Sequence, residues 1–199
     1  ARLGEAVAAL EKAGADLLHF DVMDGHFVPN LTFGPQILKH IKKYTSLLID
    51  VHLMVTNPLE VIPWYAEAGA DFITFHLEAA DKPEKAIKLI KKYGIKAGIT
   101  LRPDSDIKQI CPYLPLVDMV LVMAVNPGFG GQRFREDTPD KIRFVNEYRS
   151  TKNILIEVDG GINKNNARIC TQAGADILVA GTSVFADNKY AENIKLLRG

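Results

Sequence analysis

Apolar residues fall along this chain in short runs, many of them β-branched, with helix-like stretches between. The runs predict seven strands, around 16–22, 47–54, 71–77, 95–101, 117–125, 153–159 and 176–181. Pro83 to Tyr93 and Pro139 to Arg149 are examples of the intervening helical segments. A repeated phrase punctuates the pattern: Ala13-Gly14-Ala15-Asp16, Ala68-Gly69-Ala70-Asp71 and Ala173-Gly174-Ala175-Asp176 each follow a helix-like stretch and precede an apolar run. Glycine at that point predicts a left-handed residue that ends the helix ahead of a short turn into a strand. Lys92-Tyr93-Gly94-Ile95 carries the same punctuation. Strands and helices alternating at this spacing predict βαβ units and a parallel sheet, either closed into a barrel or open and doubly wound. No Pro- or Ser-rich linker and no low-complexity tract breaks the series, so a single (β/α) domain is predicted over residues 1–199.

In such folds function gathers at the carboxyl ends of the strands. Side chains alternate along a strand, so Leu17, His19, Asp21 and Met23 share one face of the first, and Leu48, Asp50, His52 and Met54 one face of the next. Both read apolar, polar, polar, Met. The sixth run ends in Glu157-Val158-Asp159 followed by Gly160-Gly161. His19, Asp21, His52 and Asp159 can therefore converge at one end of a barrel. Two imidazoles and two carboxylates suit Zn, Fe(II), Mn or Co. The same residues also read as hydrogen-bonded interior polar groups, since ligands scattered along a chain make no compact metal signature.

Three glycine-bearing segments follow consecutive strands: Asn126-Pro127-Gly128-Phe129-Gly130-Gly131-Gln132, then Gly160-Gly161, then Gly181-Thr182-Ser183. Glycine lets backbone N–H groups approach an anion closely, and loops after the last strands of a barrel are a usual phosphate site. Charge makes this more pointed. Lys plus Arg and Asp plus Glu both number 24, so the net charge is 0 and nothing in bulk attracts nucleic acid or an anionic membrane. An anionic ligand must be captured locally. No apolar run is long enough to span a bilayer. The two cysteines, Cys111 and Cys170, form no CxxC pair, which predicts two buried thiols in a reducing, cytoplasmic setting.

The phrases themselves are recognisable. His19-Phe20-Asp21-Val22-Met23-Asp24-Gly25-His26-Phe27-Val28-Pro29-Asn30 closely resembles the signature segment of the ribulose-phosphate 3-epimerase family. So do Asp50 to Val55, Val125 to Gln132 and Glu157 to Ile162, and the resemblance runs from Ala1 to about Ala186. It implies a TIM (β/α)8 barrel of the ribulose-phosphate-binding type that interconverts D-ribulose 5-phosphate and D-xylulose 5-phosphate. It implies one divalent metal ion held by His19, Asp21, His52 and Asp159, with Asp21 and Asp159 also the two acid–base groups. Met23, Met54 and Met123 match an apolar collar over the reacting carbon. His52, Gly128, Phe129, Gly130, Gly131, Gly160, Gly161, Gly181 and Thr182 match positions at the substrate and its phosphate. A small sugar phosphate is the expected partner, with no nucleic acid and no membrane, in a homo-oligomer of two or more chains. Family members carry a further strand ahead of the helix matched here by Arg2–Ala13, so the first strand is expected to be missing and seven strands to be visible.

Other residues read more plainly. His76 is expected to support the site from behind or to be structural, and His26 either touches substrate or shapes a turn. Asp24 and Asn126 either orient a neighbour or cap a turn. His40, among Lys39, Lys42 and Lys43, reads as a solvated face, and Trp64 as packing against its neighbours. Three other functions stay open at this stage: a 3-epimerase of an unphosphorylated ketohexose, another phosphate-binding barrel such as a decarboxylase or synthase, and a short, weakly active chain acting through a partner subunit. The glycine loops argue against the first, and the paired His and Asp strand ends against the second.

Overall fold

A computed structural model describes residues 2–149 and 153–199. Seven strands form one parallel sheet in sequential order: β1 Leu17–Met23, β2 Leu48–Met54, β3 Phe72–His76, β4 Lys96–Leu101, β5 Met119–Met123, β6 Leu155–Asp159 and β7 Ile177–Val179. Six lie within the predicted runs, and β1 extends one residue past its own, to Met23. The helices are α1 Leu3–Lys12, α2 Pro35–Ile41, α3 Pro58–Ala68, α4 Pro83–Lys92, α5 Thr138–Tyr148, α6 Ala167–Ala173, α7 Thr182–Phe185 and α8 Tyr190–Arg198. Proline sits in the first turn of α2, α3 and α4, where its missing N–H costs nothing. The repeated glycines behave as expected: Gly14, Gly69, Gly94 and Gly174 all have positive φ, between 74° and 118°.

The strand faces divide cleanly. On β2, Ile49, Val51 and Leu53 join the apolar layer that packs against the helices, along with Ile73 and Phe75 of β3, Val120 and Val122 of β5, and Ile156 and Val158 of β6. The opposite face carries polar groups on β2, β3, β4 and β6 that are just as buried, with Asp50, His52, Thr74, His76, Thr100 and Glu157 all at 1% exposure or less, while β5 places Met119, Leu121 and Met123 there. In a flat sheet β1 and β6 would stand five strand spacings apart, roughly 24 Å. Yet ligand atoms of Asp21 on β1 and Asp159 on β6 lie within 4.8 Å of one another. The sheet is therefore curled into a nearly closed barrel with the polar face inside. Its edges, β1 and β7, are not paired to each other. Both line one cleft of about 890 Å³, which α1 and α8 help to wall.

The aspartates that open the strands stitch each pair of neighbours together. Asp71 Oδ2 accepts the backbone N–H of Ile49 (2.8 Å), Asp118 Oδ2 that of Ala97 (2.9 Å), and Asp176 Oδ2 that of Ile156 (2.8 Å). Each also faces a cation: Lys42, Lys91 and Arg149 respectively. Asp16 instead pairs with Arg198 at the end of α8, 2.7 Å away. Two expectations need correction. Trp64 is 54% exposed, because α3 turns Val61, Ile62 and Tyr65 inward and leaves position 64 outside. Cys111 is only half buried, following a short 3-10 helix, and Cys170 alone is a buried thiol. Among the described residues no helix is long and apolar enough to cross a membrane.

Inside the barrel Gly98 faces Thr74 across the β3–β4 pair. A Cβ on Gly98 would lie 2.1 Å from Thr74 Oγ1 and 3.3 Å from its Cα. Alanine normally favours a strand over glycine by its lower chain entropy. Here overpacking should reverse that, so Gly98→Ala is expected to lower stability by about 1–3 kcal/mol. Urea unfolding measures it, and an unchanged or raised midpoint would contradict the packing described.

Candidate active site

The β1–β2 register places His19 beside Asp50, Asp21 beside His52 and Met23 beside Met54. The layers read from the sequence are thus adjacent in space. Asp159 ends β6 opposite Met123 of β5. Ligand atoms of His19, Asp21, His52 and Asp159 all lie within 4.8 Å of one another. His19 Nδ1–H donates to Asp50 Oδ2 at 2.6 Å, which leaves Nε2 facing Asp21 Oδ1 at 3.3 Å. That Nε2 is buried and has no hydrogen-bond partner among the described residues. A histidine pinned through one nitrogen by a carboxylate, with the other bare, is the arrangement found in metal sites. His52 Nδ1 stands 3.2 Å from Asp21 Oδ1 and 3.9 Å from Asp159 Oδ2. The donor set of two imidazoles and two carboxylates, with an orphaned ring nitrogen among them, fits a divalent cation.

The electrostatics point the same way. Burial disfavours a charged His19, but Glu157 and Asp50 outweigh it and raise its pKa well above the ordinary value. Burial also pushes Asp21 up, yet contacts with His19 and His52 prevail and hold its carboxyl far below the usual range. Asp159 moves the other way, raised by burial and by the nearby Asp21 and Asp50 carboxylates against the pull of both histidines. Glu157, fully buried and facing Asp50, is pushed up to about 8. Burial lowers His76 to about 4. Carboxylates outnumber imidazoles here, so the pocket favours a cation.

Asp21, Asp159, Met23, Met54 and Met123 line the same cleft as Gly128, Phe129, Gly130, Gly131, Gly160, Gly161, Gly181 and Thr182. The predicted chemistry and the predicted glycine loops therefore share one space. Met23 and Met54 pack together with Val28 and Phe27, while Met123 reaches the cleft from β5 outside that cluster. His52 is completely buried and meets the cluster through Nδ1 rather than lining the cleft. The loop after β5 is closed by Gln132, whose Nε2 donates to the carbonyls of Asn126 (2.6 Å) and Phe129 (2.7 Å). Gly160 and Gly161 have φ of 111° and 66°. A Cβ there would meet Val125 at 2.3 Å and the Phe134 backbone at 2.8 Å, so the turn itself requires glycine at both.

Asp24 and His26 both take part in the turn after β1. His26 is exposed, and its Nδ1 lies 2.9 Å from the Asp24 carbonyl oxygen. Asp24 Oδ1 accepts the N–H groups of His26 and Phe27, and Oδ2 accepts the N–H and hydroxyl of Thr56, all at 2.8 to 2.9 Å. Asp24 thus ties the loop after β1 to the loop after β2. Two buried polar residues around the cluster have no role in the sequence reading, Asp50 and Glu157 behind His19, while His76 stands behind His52 at 2.9 Å, one of the two places expected for it. The alternation along the strands already put Asp50 and Glu157 on the inward face, which was the available signal.

Similarity to known proteins is extensive. A family model described as the ribulose-phosphate 3 epimerase family matches residues 1–185. The chain is 46% identical over 203 residues to a ribulose-phosphate 3-epimerase of Chlamydia muridarum, covering 99% of the chain and 89% of the relative. It is 45% identical over 202 residues to one of Bacillus subtilis, covering 100% and 93%. Among solved structures, a 3-hexulose-6-phosphate synthase matches at TM-score 0.70 and 19% identity, covering 98% of this chain and 93% of that one. Orotidine 5'-phosphate decarboxylase from Pyrococcus horikoshii matches at 0.70 and 16%, covering 98% and 95%. At that identity the two structures establish the barrel fold alone.

The Asp24 tie makes a pH prediction. Burial pushes its carboxyl up, but hydrogen bonds from Thr56, His26 and Phe27 prevail and bring it down to about 2. A depressed pKa adds stability that is present above the ordinary value and lost as pH falls through the depressed one. Asp24→Asn should therefore be less stable than the parent at neutral pH, with the gap closing between about pH 4 and pH 2. Urea midpoints at a series of pH values test this, and a constant gap would contradict it.

Proposed function

The chain belongs to the ribulose-phosphate 3-epimerase family and is an epimerase, and we propose that it interconverts D-ribulose 5-phosphate and D-xylulose 5-phosphate. The observation that carries this reading is the cluster of His19, Asp21, His52 and Asp159 at one end of the barrel, on the wall of a cleft that the glycine loops share. Epimerisation at C3 removes a proton next to the C2 ketone and returns one to the opposite face. Such a proton is far less acidic than a carboxylic acid, so the chemistry needs both a base and stabilisation of the enediolate. A divalent cation held by His19, Asp21, His52 and Asp159 would supply Lewis-acid polarisation of the C2 carbonyl, worth several kcal/mol.

The residues of the chain do the rest. Asp21, which the two histidines favour as the carboxylate, takes the C3 proton, and Asp159, whose pKa burial and the neighbouring carboxylates raise, delivers one from the other side. In the reverse direction the two exchange roles. Opposed pKa shifts in neighbouring carboxyls are the pattern expected of an acid–base pair. Asp50 fixes the His19 ring through Nδ1 and keeps Nε2 directed at the cluster. Met23, Met54 and Met123 restrict water at the reacting carbon, and their flexible thioethers accommodate a change of configuration beneath them. The substrate phosphate rests on backbone N–H groups of the loops at Gly128–Gly131, Gly160–Gly161 and Gly181–Thr182, the local capture that a chain of zero net charge requires.

Asp21→Asn and Asp159→Asn are each expected to lower kcat by about 10²- to 10⁴-fold. Metal content is measured on the same samples, so that loss of a ligand is separated from loss of proton transfer. A variant that keeps its metal and near-normal turnover would contradict the two-carboxylate scheme. The phosphorylated ketopentose should also react far faster than the free sugar, and equal rates would remove the phosphate from the account.

A further inference from the structure

His52 has one ring nitrogen in the cluster and the other turned away from it. Its Nε2 lies 2.9 Å from Nε2 of His76, and both rings are wholly buried. At that distance the two nitrogens share one proton, so between neutral rings one must donate and the other accept. On the far side of His76, Nδ1 faces Glu78 Oε2 at 3.6 Å and has no hydrogen-bond partner among the described residues. Glu78 is itself anchored. Its Oε1 accepts the backbone N–H of Arg102 at 2.7 Å and the Ser105 hydroxyl at 2.6 Å. The Phe27 ring packs on His76 with centroids 4.7 Å apart, and the Arg102 guanidinium lies over Phe27 at 4.2 Å, so the row of groups is walled in.

We propose that His76 and Glu78 are positioning residues that set the tautomer of His52 for metal binding. This rests on reading the four-residue cluster as a metal site. A carboxylate only accepts hydrogen bonds. The tautomer of His76 that satisfies Glu78 therefore carries its proton on Nδ1 and leaves Nε2 as an acceptor. His52 must then carry its own proton on Nε2, which leaves Nδ1 bare where it meets Asp21. A ligating imidazole needs that nitrogen bare. The reverse pair of tautomers sets a lone pair against the Glu78 carboxylate and a proton on His52 Nδ1, where the ion would sit. Glu78 thus acts on the centre through two rings without touching it.

Glu78→Gln separates this role from simple anchoring. Glutamine retains an oxygen for Arg102 and Ser105 but turns an amide donor toward His76 Nδ1, which favours the reverse tautomers. Zn²⁺ affinity of the whole chain, measured against a competing chelating dye, is expected to weaken by about 10- to 100-fold in the variant. ¹⁵N NMR of the metal-free chain is expected to show His76 protonated on Nδ1 in the parent and on Nε2 in the variant. Equal Zn²⁺ affinity in parent and variant would overturn the inference while leaving the metal site standing. A proton on His76 Nε2 in the metal-free parent would overturn it too, however the variant folds. Failure of the parent to bind Zn²⁺ at all would remove the metal reading and this inference with it.

Discussion

The structure turns on a concentration of carboxylates inside a barrel. Asp50 and Glu157 are almost entirely buried, and Asp21 and Asp159 stand just above them, all within reach of His19 or His52. Burying charge without a partner is costly by several kcal/mol per ion. The barrel meets that cost in three ways that its geometry makes visible. His19 is sandwiched between the Asp50 and Glu157 side and the Asp21 side. Glu157 is pushed toward its neutral form. The remaining negative potential collects at the end where the cleft opens, which is where a cation would be most stabilised. Support behind the cluster and chemistry in front of it thus follow from one electrostatic demand.

That demand also explains why the sheet must curl. Strands β1, β2 and β6 each present polar groups on one face and β-branched or other apolar groups on the other. The apolar face is covered by helices. The polar face is buried because the sheet brings its own strands round to meet each other. The glycine loops follow from the same closure: they lie beyond β5, β6 and β7, the strands that come round to face β1 across the cleft. Anion capture and proton transfer are therefore held in one place by backbone topology rather than by a basic surface.

Much of this was legible in the chain. Period-two alternation set His19, Asp21, His52 and Asp159 on one face, and the β1–β2 register then placed Asp21 beside His52. The glycines of the repeated phrase were readable as left-handed helix ends because few other residues adopt positive φ there. What escaped reading depends on how strands are shifted against their neighbours. Asp71, Asp118 and Asp176 bond backbone groups on the preceding strand, contacts set by register and not by local pattern. The meeting of His52 with His76 arises across the β2–β3 pair, where the sequence shows only two histidines 24 residues apart. Trp64 was misjudged because one apolar residue in a helix does not reveal which way the helix is turned.

The central claim is that two carboxylates on different strands, Asp21 and Asp159, handle the proton at C3 from opposite sides. The most direct measurement runs the reaction in D₂O with D-ribulose 5-phosphate protiated at C3 and reads deuterium at C3 of the product by NMR at low conversion. The account predicts solvent deuterium at C3 in essentially every product molecule, because the proton removed by one carboxyl is not the one delivered by the other. Product that retains the substrate's own C3 hydrogen would mean a single group carries it across, and would contradict the account.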